Sequence, residues 1–167
     1  YSGATGLKTG STSLALYNLS ATATKNNLKL IAVVLRGQTS QKRFDDARTL
    51  LDYGYANYSF TELAKADTIV KTIPISKARK DSIEIIVEED TYSLVGKGEE
   101  KKITKIENIN ENISAPLEYR ERVGSVKYYL NEEIIGEANL VVNEKVESKN
   151  MINFMDQLIK FWYKIGR

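Results

Sequence analysis

Apolar positions in the first third of the chain fall into two runs. Leu14, Leu16, Tyr17, Leu19, Ala21 and Ala23 alternate loosely up to Thr24, and Leu28, Leu30, Ile31, Val33, Val34 and Leu35 follow the turn cluster Lys25-Asn26-Asn27. Two such runs across a short polar turn predict an antiparallel hairpin buried on at least one face. Gly37 to Ser40 interrupts the pattern and offers Thr39 or Ser40 as a helix N-cap. Phe44, Ala47, Leu50, Leu51 and Tyr55 then recur at helical spacing, with Gly54 near the expected end of that helix. After about Tyr58 the runs shorten to β-like segments: Thr68 to Ile75, Ser82 to Val87, Thr91 to Val95, Lys102 to Ile106, Val123 to Leu130 and Ile134 to Val142. Turn signals separate them, which predicts a small β-sandwich or barrel and a domain boundary within residues 58–66. No internal repeat or low-complexity segment stands out.

The last stretch changes period again. Met151, Met155, Leu158, Trp162 and Ile165 are spaced i, i+4, i+7, i+11, i+14, and Ile152, Phe154, Ile159 and Phe161 widen the stripe. This predicts an amphipathic helix over residues 147–167 that ends in aromatic and basic residues. Trp162-Tyr163 with Lys160, Lys164 and Arg167 suits the headgroup zone of a membrane. Asp156 and Gln157 argue against spanning it. The alternatives are a helix docked on the protein's own core or one that joins two copies.

Composition narrows the chemistry. The 167 residues contain no Cys and no His, so disulfides, thiolate zinc sites, cysteine nucleophiles and imidazole bases are excluded. Catalysis would have to use Ser, Thr, Lys, Tyr or carboxylates. Net charge is +2, too small to indicate a nucleic-acid binder. Lys145 to Arg167 alone contributes +3, so the basic excess lies entirely in the tail. No apolar run approaches the roughly 20 residues of a membrane-spanning helix. Glu88-Glu89-Asp90 is a poor chelate, because neighbours on a strand face opposite ways. No metal or cofactor is expected.

The candidate chemistry is Lys8-Thr9-Gly10, followed by Ser11-Thr12. Lys8 brings a cation for a carboxylate, Thr9 a hydroxyl donor, and Gly10 a backbone that a peptide can approach closely. By itself the tripeptide suits a flexible turn equally well. Its surroundings decide. Gly6-Leu7-Lys8-Thr9-Gly10-Ser11-Thr12, Tyr17-Asn18-Leu19-Ser20-Ala21-Thr22-Ala23 and Leu28 to Leu35 together resemble the D-alanyl-D-alanine carboxypeptidases, the low-molecular-mass penicillin-binding proteins. Arg43-Phe44 through Tyr55 looks like the helix closing their catalytic domain. Asp90 to Val95, Ser114-Ala115-Pro116-Leu117 and Val123-Gly124-Ser125-Val126 are similar to their C-terminal β domain, and the tail to their membrane anchor.

The resemblance implies an α+β fragment, residues 1–58, from the end of a transpeptidase-like domain. A small all-β sandwich, residues 59–146, and the amphipathic membrane-surface helix follow. It implies a serine enzyme that removes the terminal D-alanine from peptidoglycan stem peptides ending in D-Ala-D-Ala and is acylated by β-lactam antibiotics. Lys8, Thr9, Gly10 and Arg43 would bind the substrate carboxylate, and the backbone N–H of Ser11 would donate to the oxyanion. Met151, Phe154, Met155, Leu158, Phe161, Trp162 and Ile165 would anchor the protein peripherally on the extracytoplasmic face of the bacterial cell membrane.

Two departures qualify this. The family's S-x-x-K and S-x-N motifs belong upstream of Lys-Thr-Gly, where only seven residues stand. No Ser elsewhere has a Lys three positions later; Ser40 and Ser76 have Arg43 and Arg79, which cannot act as bases. The chain, which starts at Tyr1, therefore reads as a cut end expected to be inactive without an upstream catalytic portion. Ala15-Leu16 also stands where the family usually has Ala-Gly. The competing readings are a wall- or membrane-associated β module without activity and a β-lactamase, whose chain would end soon after the closing helix.

Overall fold

The computed structural model describes residues 1–149 and Phe161. Among these residues ten strands and one long helix follow one another, and the chain divides into two compact units. One comprises Tyr1–Thr61 with Tyr92–Ile103; the other comprises Glu62–Thr91 with the chain from Thr104 onward.

The first unit opens with three antiparallel strands, β1 (Ala4–Thr12), β2 (Leu16–Lys25) and β3 (Leu28–Gly37), in the order β1-β2-β3. The β2–β3 hairpin is the one the apolar alternation predicts. Asn26 and Asn27 take its two tight-turn positions at φ 50° and 61°, where Asn is tolerated better than most residues. The Gly/Ser/Thr-rich start forms β1, which pairs with β2 alone, and all nine of its residues are exposed. Helix α1 (Ser40–Asn57) is capped by Thr39, whose hydroxyl accepts from the Lys42 N–H at 3.1 Å. It packs on β2 and β3 through Ala47 and Leu51, which join Leu19, Ala23, Ala32 and Val34 in one apolar core. Gly54 lies in the last turn of the helix, near the end as expected, where its carbonyl accepts from the Tyr58 N–H. A Cβ there would come within 2.4 Å of Leu30 Cδ1, so the small residue lets helix and sheet approach.

Strand alternation gives this sheet two faces. Thr9 pairs with Leu19 and Leu19 with Val34, so these share the α1 side. Lys8 pairs with Ser20 and Ser20 with Val33, which puts them on the opposite side. That side carries Ile31, Val33 and Leu35, all more than half exposed.

Strand β4 (Tyr58–Ala64) pairs with β7 (Thr91–Gly96) as a two-stranded sheet in which Phe60 and Tyr92 stack at 5.1 Å. A single 3-10 turn, Glu100–Lys102, follows β7. Lys97 ties this segment to α1: its Nζ donates to the Tyr55 carbonyl at 2.6 Å, placing a cation at a helix C-terminus that has no basic residue in its own last turn.

The second unit is built on a five-stranded sheet in the order β5-β6-β10-β9-β8. Its strands are β5 (Ile69–Pro74), β6 (Ser82–Val87), β8 (Thr104–Ile109), β9 (Arg122–Leu130) and β10 (Glu133–Val142). Its centre is deeply buried: Ile83, Ile85, Ile86, Leu140, Val141 and Val142 are essentially inaccessible. Lys105 and Glu107, both exposed and paired at 2.9 Å, put charge on the β8 edge. The loop carrying Ile113, Ala115 and Leu117 buries those residues and bridges back to Ser76 and Val146.

The chain is thus mostly strand with one long helix among the described residues. The expected tail helix lies outside them, except that Phe161 is helical and exposed. Met151, Phe154, Met155, Leu158, Trp162 and Ile165 are likewise outside. No helix among the described residues is long and apolar enough to cross a membrane.

Candidate functional site

β1 presents the tripeptide from a sheet edge. Lys8, Thr9, Gly10 and Ser11 stand opposite Ser20, Leu19, Asn18 and Tyr17 of β2. The other edge of β1 has no strand beside it among the described residues. An added Cβ on Gly10 would meet nothing within 4 Å, so the space there is open. The Lys8 side chain has no hydrogen-bond or ion-pair partner among the described residues.

Arg43 comes to the same level from α1. Its Nη1 donates to the Asn18 carbonyl at 3.4 Å, and its guanidinium lies 5.5 Å from the Tyr17 ring and 5.0 Å from that of Phe44. Asn18 and Tyr17 are the register partners of Gly10 and Ser11, so β2 stands between Arg43 and the end of the tripeptide. Arg43 Nη2 donates to Ser40 Oγ at 3.1 Å, while Nε is buried without a partner. A buried guanidinium N–H left unpaired carries a desolvation cost that a bound anion would offset. Thr9, Ser11 and Arg43 belong to the α1 side of the sheet, whereas Lys8 belongs to the other; an edge strand can offer both to a ligand laid alongside.

A cavity of about 490 Å³ opens on the α1 side, bordered by Leu7, Thr9, Leu19, Phe44, Arg48 and Leu51, with Lys8 also at its margin. Its walls are mostly apolar and it contains no cluster of titratable groups. No group of acidic residues that could hold a metal occurs among the described residues.

The turn after the tripeptide holds a residue whose importance the sequence does not announce. Leu16 sits at φ 53°, the left-handed conformation that glycine adopts freely and leucine does not. A leucine is therefore held in a conformation that costs it energy. Asn18 accounts for that: its Nδ2 donates to the Ala15 and Leu16 carbonyls at 3.2 and 3.5 Å, and its Oδ1 accepts from the Arg36 N–H at 3.0 Å. No spacing rule singles out a strand Asn, because its partners are set by a register shift between Tyr17 and Leu19.

Residues 58–148 match the family model described as penicillin-binding protein 5, C-terminal domain. The D-alanyl-D-alanine carboxypeptidase DacF of Bacillus subtilis is 30% identical over 98% of this chain and 42% of its own length. DacC of Escherichia coli is 31% identical over 85% of this chain and 36% of its own. The crystal structure of penicillin binding protein 5 from Haemophilus influenzae superposes with a TM-score of 0.69 at 31% identity, covering 87% of this chain and 43% of that one. The chain thus spans about two fifths of the length of these relatives. With more than half of its residues matched by that one model, the chain belongs to the penicillin-binding protein 5 C-terminal domain family.

Proposed function

We propose that this chain is the C-terminal part of a serine-type D-alanyl-D-alanine carboxypeptidase acting on peptidoglycan stem peptides. A serine supplied by the upstream catalytic portion attacks the carbonyl between the two terminal D-alanines. The acyl-enzyme forms as D-alanine leaves, and water then releases the shortened peptide. β-Lactams acylate the same serine. The peptide lies along the free edge of β1; Thr9 and Arg43 hold its terminal carboxylate, Lys8 adds a cation, and the Ser11 N–H stabilises the oxyanion.

The observation that carries this reading is the pairing of an open edge strand bearing Lys8-Thr9-Gly10 with a buried, unpartnered Arg43 Nε at the level of Gly10 and Ser11. The upstream portion covers the sheet face that exposes Ile31, Val33 and Leu35, completing a transpeptidase-like domain. Residues 59–146 serve as a β-sandwich spacer, and the tail lies on the extracytoplasmic membrane surface.

The test is labelling by a fluorescent penicillin. The whole protein labels, and Lys8→Ala abolishes the label. Losing charge-assisted bonds worth about 1.5–3 kcal/mol, Arg43→Ala acylates roughly 10- to 100-fold more slowly. The 167-residue chain labels only after the upstream portion is added. Labelling of the 167-residue chain by itself would refute the assignment.

A further inference from the structure

We infer that Asn18 is the positioning residue that sets Arg43 against the Lys-Thr-Gly strand. This rests on the reading of Arg43 as a carboxylate ligand. Asn18 occupies the middle strand opposite Gly10, between the two backbone features that any anion at β1 would sense. On one side its Nδ2 holds the carbonyls of Ala15 and of left-handed Leu16, in the turn directly after Ser11-Thr12. On the other its Oδ1 holds the N–H of Arg36, also left-handed at φ 57°, at the corner from which the chain enters α1. Its main-chain carbonyl receives Arg43 Nη1. One carboxamide, with its donor and acceptor ends both engaged, therefore spans the turn that ends β1 and the corner that launches Arg43. Only an amide supplies that donor and acceptor pair; a carboxylate would aim oxygen at the Ala15 and Leu16 carbonyls.

The prediction concerns selectivity more than folding. Arg43 recognises a carboxylate, so misplacing it penalises substrates that carry one and spares a peptide ending in a carboxamide. In the whole enzyme, Asn18→Ala lowers kcat/KM for a D-Ala-D-Ala peptide by about tenfold, mainly through KM, with little change for the same peptide amidated at its C-terminus. The loss is largely absent when Arg43→Ala is already present, since two residues acting as a unit are not additive. Asn18→Asp keeps the bond to Arg36 and loses the turn, so it shows the same bias in weaker form if Asn18→Ala folds poorly. Leu16→Gly restores part of the selectivity of Asn18→Ala, because glycine holds the left-handed turn without help while the Arg36 bond stays lost.

Equal losses on the two peptides, additivity with Arg43→Ala, or no rescue by Leu16→Gly would overturn the inference. Failure of the underlying reading has a separate signature: Arg43→Ala alone would then leave the preference for the free carboxylate intact.

Discussion

Two glycines of the five-stranded sheet should respond in opposite ways to the same methyl group. Gly124 of β9 pairs with Ile109 of β8 and Leu140 of β10. A Cβ there would lie 2.3 Å from the Asn108 carbonyl oxygen and 3.0 Å from Ile109 Cα, both main chain. Carbon–oxygen contacts settle near ~3.3–3.6 Å, so β8 must retreat by about 1 Å. It can, being an edge strand, but it takes with it the bond from the Asn110 N–H to the Val123 carbonyl at 2.9 Å and the pairing at Ile109. One or two ladder bonds at about 1 kcal/mol each, plus overpacking of about 1–3 kcal/mol, are offset by about 0.5–1 kcal/mol of strand preference for Ala. The net expectation for Gly124→Ala is a loss of about 2 kcal/mol. Gly136 of β10 is the control. Its added Cβ would meet Leu63 Cδ1 at 2.6 Å, the free end of a half-buried side chain that can rotate away, so Gly136→Ala should fall within about 0.5 kcal/mol of neutral. Amide hydrogen exchange in the whole protein is the assay. The Asn110 amide should exchange about 30-fold faster in Gly124→Ala, the equivalent of 2 kcal/mol, and unchanged in Gly136→Ala. Equal behaviour of the two variants would refute the reasoning that backbone neighbours, not mere proximity, set the cost.

Two smaller effects can be read in the first unit. The Glu100 carboxylate is held below the ordinary glutamate pKa by its own backbone N–H, then by the Gly98 N–H at 2.8 Å and Ser59 Oγ at 3.1 Å, with Lys97 nearby; desolvation opposes them. A depressed folded-state pKa gives stability that is fully present above the unfolded value and is lost as pH falls through the folded one. Protection of the Gly98 amide should therefore fade only on acidification below the normal glutamate range, and Glu100→Gln should remove that pH dependence; a protection profile flat with pH in the unmodified protein would contradict it. Thr39→Ala removes the N-cap of α1 and should cost about 1 kcal/mol in a denaturation midpoint, with Thr39→Ser close to neutral.

Much of the fold is legible because burial imposes a period. β2, β3, α1, β6, β9 and β10 each bury alternating, helically spaced or continuous apolar residues, and all follow from the apolar pattern. What escaped has no such period. β1 is exposed at every position, so no apolar period marks it, and only the resemblance carried by Lys8-Thr9-Gly10 leads one to expect a strand there. β4 falls where the change of texture suggests a boundary, and its Phe60 stacks on a ring 32 positions away. Gly54 is found near the helix end as its position suggests, but its use, admitting Leu30, depends on a partner strand. β8 begins at Thr104, after Glu100–Lys102 form a 3-10 turn that charged residues do not advertise. At the site, Lys8-Thr9-Gly10 and Arg43 were visible as residue types, but the buried Arg43 Nε and the three side-chain bonds of Asn18 exist only once the sheet register is fixed.

That same exposure explains why the candidate strand is polar. On the proposed reading, an edge strand that accepts a ligand cannot anchor itself by burying apolar side chains, since those would fill the space the ligand needs. β1 is pinned by hydrogen bonds instead. The buried Thr22 hydroxyl donates to the Gly6 carbonyl at 2.8 Å and lies 2.7 Å from Thr5 Oγ1. At the other end Thr12 Oγ1 accepts from the Ala15 N–H at 2.9 Å, and Asn18 closes the turn beyond it. Each such bond contributes only about 0.5–1.5 kcal/mol, so the strand is held in register at both ends while its middle, Lys8 to Ser11, stays free of side-chain partners among the described residues. A composition that resembles a loose linker is, in this fold, the composition of a strand paired with β2 along one edge, tied by side chains at its ends and left open on the other edge.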